Sequence, residues 1–154
     1  MITIRRAAEA DIGAMSEVLI ASITELCGLD HNNDPAAIAA WTANKTPDGV
    51  RRMLANPDAT LLVAEHDGVI AAVGCVQGGN EIGLNYVHPA HRFQGVSRAL
   101  LEAMEQAIRD AGFTEATLKA TQTAHDFYRA NGWQDAGDFY TGRWIDAWPM
   151  RKGL

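Results

Sequence analysis

The residues best suited to chemistry lie in Val87-His88-Pro89-Ala90-His91-Arg92-Phe93-Gln94-Gly95-Val96-Ser97-Arg98-Ala99. A strand ends here, a short turn follows, and a long helix begins near Gly95. The first N–H groups of a helix have no partner within it and sit at the positive end of its dipole. A phosphate placed there satisfies them. Gly95 allows close approach to the backbone, because no Cβ stands in the way. Arg92 and Arg98 can add charge-assisted hydrogen bonds. A lone glycine ahead of a helix also suits a plain strand-to-helix turn, so the segment alone leaves both readings open. His88 and His91 are spaced i, i+3 across a Pro-containing turn with no third ligand nearby, so no metal is expected.

These residues need elements to hold them. Residues 2–6 alternate apolar and polar, as a strand does. Asp11 is expected to cap a helix whose apolar residues Ile12, Met15, Leu19, Ile23 and Leu26 follow the helical period, and Gly28 to end it. Asp30-His31-Asn32-Asn33 reads as a polar stretch. Asp34-Pro35 and Thr46-Pro47 each read as an N-cap followed by Pro at the first helical position. Residues 60–65, 69–76 and 81–87 form a meander turned by His66-Asp67-Gly68 and Gly78-Gly79-Asn80. The strongest helix carries Val96, Leu100, Met104 and Ile108 on one face and closes at Gly112. A strand over 115–119, a short helix over 124–131 and strands over 133–136 and 142–150 complete the chain. The order predicts an α+β fold, with helices flanking a mixed, mostly antiparallel central sheet of six to seven strands, as one domain over residues 1–154.

The pattern Arg92-x-x-Gly95-x-Ser97 resembles the pyrophosphate loop of the GNAT N-acetyltransferase superfamily, Arg/Gln-x-x-Gly-x-Gly/Ala, with Ser97 where Gly or Ala is usual. Ala124-His125-Asp126-Phe127-Tyr128-Arg129-Ala130-Asn131-Gly132-Trp133 resembles the family's second signature, Ala-x-x-Phe-Tyr-x-x-x-Gly-Phe. Trp148-Pro149-Met150-Arg151-Lys152 is similar to its closing strand, and the element order agrees along nearly the whole chain. The resemblance implies an acyl-CoA-dependent N-acyltransferase, with acetyl-CoA as donor and direct attack by an amine in a ternary complex. A non-catalytic module that binds or senses acyl-CoA is the alternative.

Carried onto this chain, the family pattern implies coenzyme contacts from Asn85, Tyr86 and Val87. It adds Arg92, Phe93, Gln94, Gly95, Val96, Ser97 and Arg98, and then Thr121 and Tyr128. Tyr128 is implied as general acid toward the coenzyme sulfur; a phenol with a pKa of about 10 is protonated at neutral pH. Glu81, eleven residues ahead of Arg92, has the spacing of the general base in histone-type members; a water chain, His88 or His91 are the alternatives. The backbone N–H of Val87 is implied to bond the thioester oxygen. Strand parity groups Glu81, Gly83, Asn85 and Val87 on one face, suited to a cleft, and Ile82, Leu84 and Tyr86 on the other, suited to the core.

The acceptor side of the family's site is shaped by segments that correspond here to residues 26–41 and 135–144. These contain Asp30, Asp34, Trp41, Asp135, Asp138, Phe139, Tyr140 and Trp144, and carboxylates beside aromatics suit a cationic amine. Small-molecule and peptide amines both remain open as acceptors. The apolar, aromatic last strand (Trp144, Ile145, Trp148) makes a homodimer plausible.

Composition narrows the field. A net charge of −6 and a pI of about 5.2 argue against nucleic acid as a partner. Two cysteines, Cys27 and Cys75, make neither a disulfide framework nor a zinc site. No apolar run is long enough to span a membrane, and the N-terminus lacks the features of a signal peptide, so a cytoplasmic protein is expected.

Overall fold

The computed structural model describes residues 1–142 and 145–154. Seven strands form one sheet: β1 (Ile2–Arg6), β2 (Ala59–His66), β3 (Val69–Gln77), β4 (Glu81–Val87), β5 (Glu115–Ala120), β6 (Gln134–Asp135) and β7 (Trp148–Gly153). Their order is β1-β2-β3-β4-β5-β7-β6, and only β4 and β5 run parallel. The helices are α1 (Ile12–Leu26), α2 (Gly28–His31), α3 (Pro35–Thr42), α4 (Pro47–Ala55), α5 (Val96–Asp110) and α6 (Gln122–Ala130). This is the expected mixed, mostly antiparallel sheet flanked by helices.

Local chemistry explains most of the elements. Asp67 and Gly68 both have positive φ (52° and 83°). That is the turn whose twist matches a two-residue hairpin, and it joins β2 to β3. Asp34 and Thr46 accept from the N–H groups of Ala36 and Gly49 and cap α3 and α4 as expected. Helix α5 buries Leu100, Met104 and Ile108 completely. Each such side chain contributes roughly 1.5–3 kcal/mol of transfer free energy.

Two helix boundaries differ from expectation. Asp11 does not cap α1. Its carboxylate accepts from the Ala8 N–H at 2.7 Å and from both terminal nitrogens of Arg5 at 2.8 and 2.9 Å. A bidentate guanidinium outcompetes a backbone N–H of the helix. Gly28 does not follow a helix end as a cap; it opens α2, and Cys27 is the hinge between the two helices.

The last strand starts at Trp148, later than expected, because the preceding chain folds back on itself through a bridge between Tyr140 and Ala147. Trp144 lies outside the described residues. Strand β7 is internal, between β5 and β6, so a dimer built by pairing it would have to displace β6.

The sheet separates two cores. One packs α5 and α6 against Leu62, Ala72, Ile82, Leu118 and Met150; the other packs α1 and α4 against Leu61, Val63, Val73 and Cys75. Parity in β4 changes between them. Ile82 opposes Val76 and Leu84 opposes Cys75, so Gly83 is an extra residue with no partner. This bulge turns Ile82 toward the α5 core and Leu84 toward the α1 core. A Cβ on Gly83 would lie 2.5 Å from the Gln77 side chain. The expected grouping of Glu81 with Asn85 and Val87 is therefore broken, because the bulge puts Glu81 on the opposite face.

Candidate active site

Strands β4 and β5 pair only at Glu81–Thr117 and Ile82–Leu118. Beyond Ile82 they diverge. A cavity of about 350 Å³ occupies the opening, walled by β4, the start of α5, α6, and the end of α1 with Cys27.

The diverging strand leaves its backbone free on one side. The His88 N–H donates to Ala71 O, and Val87 stands opposite Ala72. Antiparallel ladders alternate, so the N–H and C=O groups of Asn85 and Val87 point away from β3, into the opening. They are positioned to pair with an extended ligand along β4.

The start of α5 faces the same cavity. Gly95 is its N-cap, with φ 81°, and no side chain caps the helix among the described residues. An added Cβ at Gly95 would meet nothing within 4 Å, so it is the left-handed φ and not crowding that calls for glycine here. Arg92, Ser97 and Arg98 line this end, which gives an anion uncapped N–H groups and two guanidinium groups.

Tyr128 stands at the other side of the opening, 6% exposed. Asn85 Nδ2 donates to its hydroxyl oxygen at 3.2 Å, leaving the phenolic proton available for another acceptor. Burial pushes the phenol up to about 12, against the lowering effect of the Asn85 hydrogen bond. It is therefore a proton donor throughout the physiological range. Edge-on rings of Phe127 and Trp133 hold it.

Asn85 Oδ1 is the one buried side-chain oxygen or nitrogen without a partner among the described residues. An orphaned buried acceptor is costly, and here it belongs to a cavity-lining residue. A ligand N–H would satisfy it. An uncapped helix start, an open strand edge and an orphaned acceptor together fit a long ligand with phosphates at one end and amides along its arm.

On the other flank, Cys27 lines the cavity and is 4% exposed. Burial, assisted by Asp30, pushes its thiol up to about 12, so it carries no thiolate. Tyr86 also lines the cavity. Its hydroxyl is raised above the usual tyrosine range by burial, and its ring meets the Trp41 ring edge-on at 6.5 Å.

The structure brings together Asn85, Tyr86, Val87, Arg92, Phe93, Gly95, Val96, Ser97, Arg98, Thr121 and Tyr128 on one cavity wall. Gln94 is exposed and off the wall. Glu81 is not brought to it either: it accepts from Gln77 Nε2 at 2.6 Å at the far end of β4. No carboxylate lines the cavity among the described residues. His91 reaches the wall, paired with His66 across 3.2 Å between Nδ1 atoms, and His66 had given no sign of this in sequence.

Three of the four aspartates in the acceptor segments have other partners. Asp34 caps α3, and Asp135 accepts from His125 at 2.6 Å and Arg129 at 2.6 Å. Asp30 accepts from the N–H of Gln122 at 2.7 Å, the N–H of Thr123 at 3.2 Å and the Thr123 hydroxyl at 2.6 Å. It thereby holds the first turn of α6, the helix that carries Tyr128. Sequence reasoning missed this, since the partners are some ninety residues apart.

The acetyltransferase (GNAT) domain family matches residues 29–154. An IAA acetyltransferase of Azospirillum brasilense is 34% identical over 96 residues, which cover 56% of this chain and 61% of that relative. Three solved structures share the fold. A GCN5-related N-acetyltransferase from Rhodopseudomonas palustris superposes with TM-score 0.88 at 23% identity, covering 99% of this chain and 95% of the other. The PaiA N-acetyltransferase of Thermoplasma acidophilum, in complex with coenzyme A, has TM-score 0.79 at 18% identity, covering 100% and 99%. A putative acetyltransferase of Salmonella typhimurium with its cofactor acetyl-CoA has TM-score 0.64 at 22% identity, covering 100% and 94%.

Proposed function

The chain belongs to the acetyltransferase (GNAT) domain family, and from that premise we propose that it is an N-acetyltransferase that carries acetyl from acetyl-CoA directly to an amine in a ternary complex. The observation that carries the reading is the meeting of three features in one cavity. They are the free backbone edge of β4 at Asn85 and Val87, the uncapped start of α5 at Gly95, and the Tyr128 hydroxyl between them.

Each part has a role in acyl transfer. The start of α5, with Arg92 and Arg98, holds the diphosphate. The edge of β4 pairs with the amide-bearing arm as an added strand would. The Val87 N–H donates to the thioester oxygen as charge develops on it. Tyr128 gives its proton to the departing sulfur, and Asn85 stabilises the phenolate oxygen left behind. The thioester supplies an activated acyl group. The amine must lose a proton to attack; no carboxylate stands on the wall among the described residues, so solvent at the mouth or His91 takes it, and the proton released by the adduct nitrogen restores Tyr128.

Direct transfer is favoured over an acyl-cysteine route. Cys27 is the thiol on the wall, and a group held protonated to about pH 12 is a poor nucleophile at neutral pH. The acceptor enters beside Ser22, Leu26 and Cys27, where the lining is neutral, so a small amine with an apolar flank fits better than a polycation.

The test is incubation with acetyl-CoA and a panel of amines while free thiol is followed, with Cys27→Ala in parallel. Turnover should be retained in Cys27→Ala. Loss of turnover together with an acetylated Cys27 in the wild type would establish the covalent route instead. Tight coenzyme binding with no transfer to any amine would favour a sensing module.

A further inference from the structure

We infer that Phe93 is a stacking platform for the adenine base of coenzyme A, an inference that rests on the coenzyme reading above. Phe93 lies on the cavity wall yet is 91% exposed. An apolar ring left in water gains nothing from burial. Its backbone is also unfavourable, with φ at 62° in the left-handed region.

Four residues other than glycine have positive φ among the described residues: Asn32, Asn33, Asp67 and Phe93. The short polar side chains of Asn and Asp tolerate that region. A phenylalanine does not, so Phe93 stands apart. In the free protein both its side chain and its backbone are in unfavourable states. An aromatic held this way has its compensation in something that binds.

The surroundings indicate what that is. The Arg92 guanidinium carbon lies 4.6 Å from the centroid of the Phe93 ring. This cation–π contact sets a guanidinium over one face, while at 91% exposure the ring stays almost wholly in solvent. The opposite face is left to solvent. With the diphosphate at Gly95–Ser97 and the amide arm running inward along β4, the nucleoside end must leave outward, past Phe93. Adenine is a flat aromatic base that fits the open face. Arg92 then has two partners, the ring beneath it and a phosphate beside it.

The test measures binding to the protein without acceptor, using coenzyme A, dephospho-coenzyme A and 4′-phosphopantetheine. The first two carry adenine and the third does not. Phe93→Gly and Phe93→Asn should weaken both adenine-bearing ligands alike, by about tenfold, the scale of one base stacked on an aromatic. They should leave 4′-phosphopantetheine unchanged. Phe93→Trp should keep the affinity of all three. Melting temperatures of the ligand-free Gly and Asn variants, expected at or above wild type, exclude unfolding as the cause.

Equal loss on all three ligands would overturn the inference, because Phe93 would then be shaping the phosphate loop. No loss on any ligand would overturn it too, whether or not the ring proves to mediate self-association in sedimentation. A wild-type protein that binds none of the three removes the coenzyme reading itself, a result distinct from both.

Discussion

Asn85 on β4 and Tyr128 on α6 meet across the opening of the sheet, with the amide nitrogen 3.2 Å from the phenolic oxygen. The contact aims the hydroxyl and ties together the two elements that form the walls. Replacing Tyr128 by Phe keeps the ring in its cage of Phe127 and Trp133 and removes the proposed acid together with the acceptor of the Asn85 hydrogen bond. The expected result is a fall in kcat of about a hundredfold, the lower end for a positioned general acid, with coenzyme affinity nearly unchanged. Because burial lifts the phenol to about 12, the wild-type rate should show no loss of this acid below about pH 10, the ordinary tyrosine value. A matching loss of coenzyme affinity in Tyr128→Phe would mark it as a binding residue.

Asp30 holds the first turn of α6 through three hydrogen bonds. Asp30→Ala removes both acceptor oxygens and with them all three hydrogen bonds at the helix N-terminus, and should destabilise the fold by about 1–2 kcal/mol. It should also lower kcat more than it raises the coenzyme KM, since in the proposed mechanism α6 carries the acid while α5 and β4 carry most of the coenzyme contacts. Denaturant melts and steady-state kinetics on the same preparation separate the two effects. Asp30→Asn, which keeps one acceptor oxygen, should fall between wild type and Asp30→Ala.

Behind Tyr128 lies a buried carboxylate, Glu105, 3% exposed. Lys152 Nζ donates to it at 2.7 Å, and the Trp133 indole N–H at 3.2 Å. Lys152 also donates to Asn131 O at 2.9 Å, just past the end of α6. Lys152→Met leaves Glu105 buried without its main cation and should cost about 3–5 kcal/mol in a urea titration at neutral pH. Glu105→Gln combined with Lys152→Met should recover most of that loss, because no buried charge remains.

The acid limb of stability should trace partly to Asp11. Its carboxyl is held below the usual value, first by the Arg5 hydrogen bonds and then by the Ala8 N–H, against the opposing effect of burial. A carboxylate depressed in the folded state stabilises the protein fully above its unfolded pKa of about 3.9, and that contribution is lost as pH falls through the lower folded value. Melting temperature should therefore drop more steeply below about pH 4 in wild type than in Asp11→Asn, which starts lower at pH 7. Asp135, depressed by His125 and Arg129, acts in the same direction. Equal slopes in the two proteins would show that the Arg5–Asp11 pair does not govern the limb.

Local chemistry was legible in the amino acids. The Asp67-Gly68 turn, the caps at Asp34 and Thr46, the amphipathic face of α5 and the glycine at its start all depend on residues a few positions apart. The helix start at Gly95 was legible in the same way, because it is a local property, but by itself it left a phosphate site and a plain turn both open. The other half depended on tertiary packing. An extra residue at Gly83 reverses strand parity and takes Glu81 away from the cavity, and alternation of residue types does not reveal a bulge. Asp30 looked like part of a polar stretch; its partners lie on a helix about ninety residues later, where only packing brings the two together. The protonation of Tyr128 and Cys27 was likewise decided by burial, which is a property of the assembled cavity. Sequence alone pointed to a coenzyme donor only through two signatures that resemble the family's, while the Asn85–Tyr128 contact, the protonated thiol and the uncharged lining beside Cys27 came from contacts between distant segments.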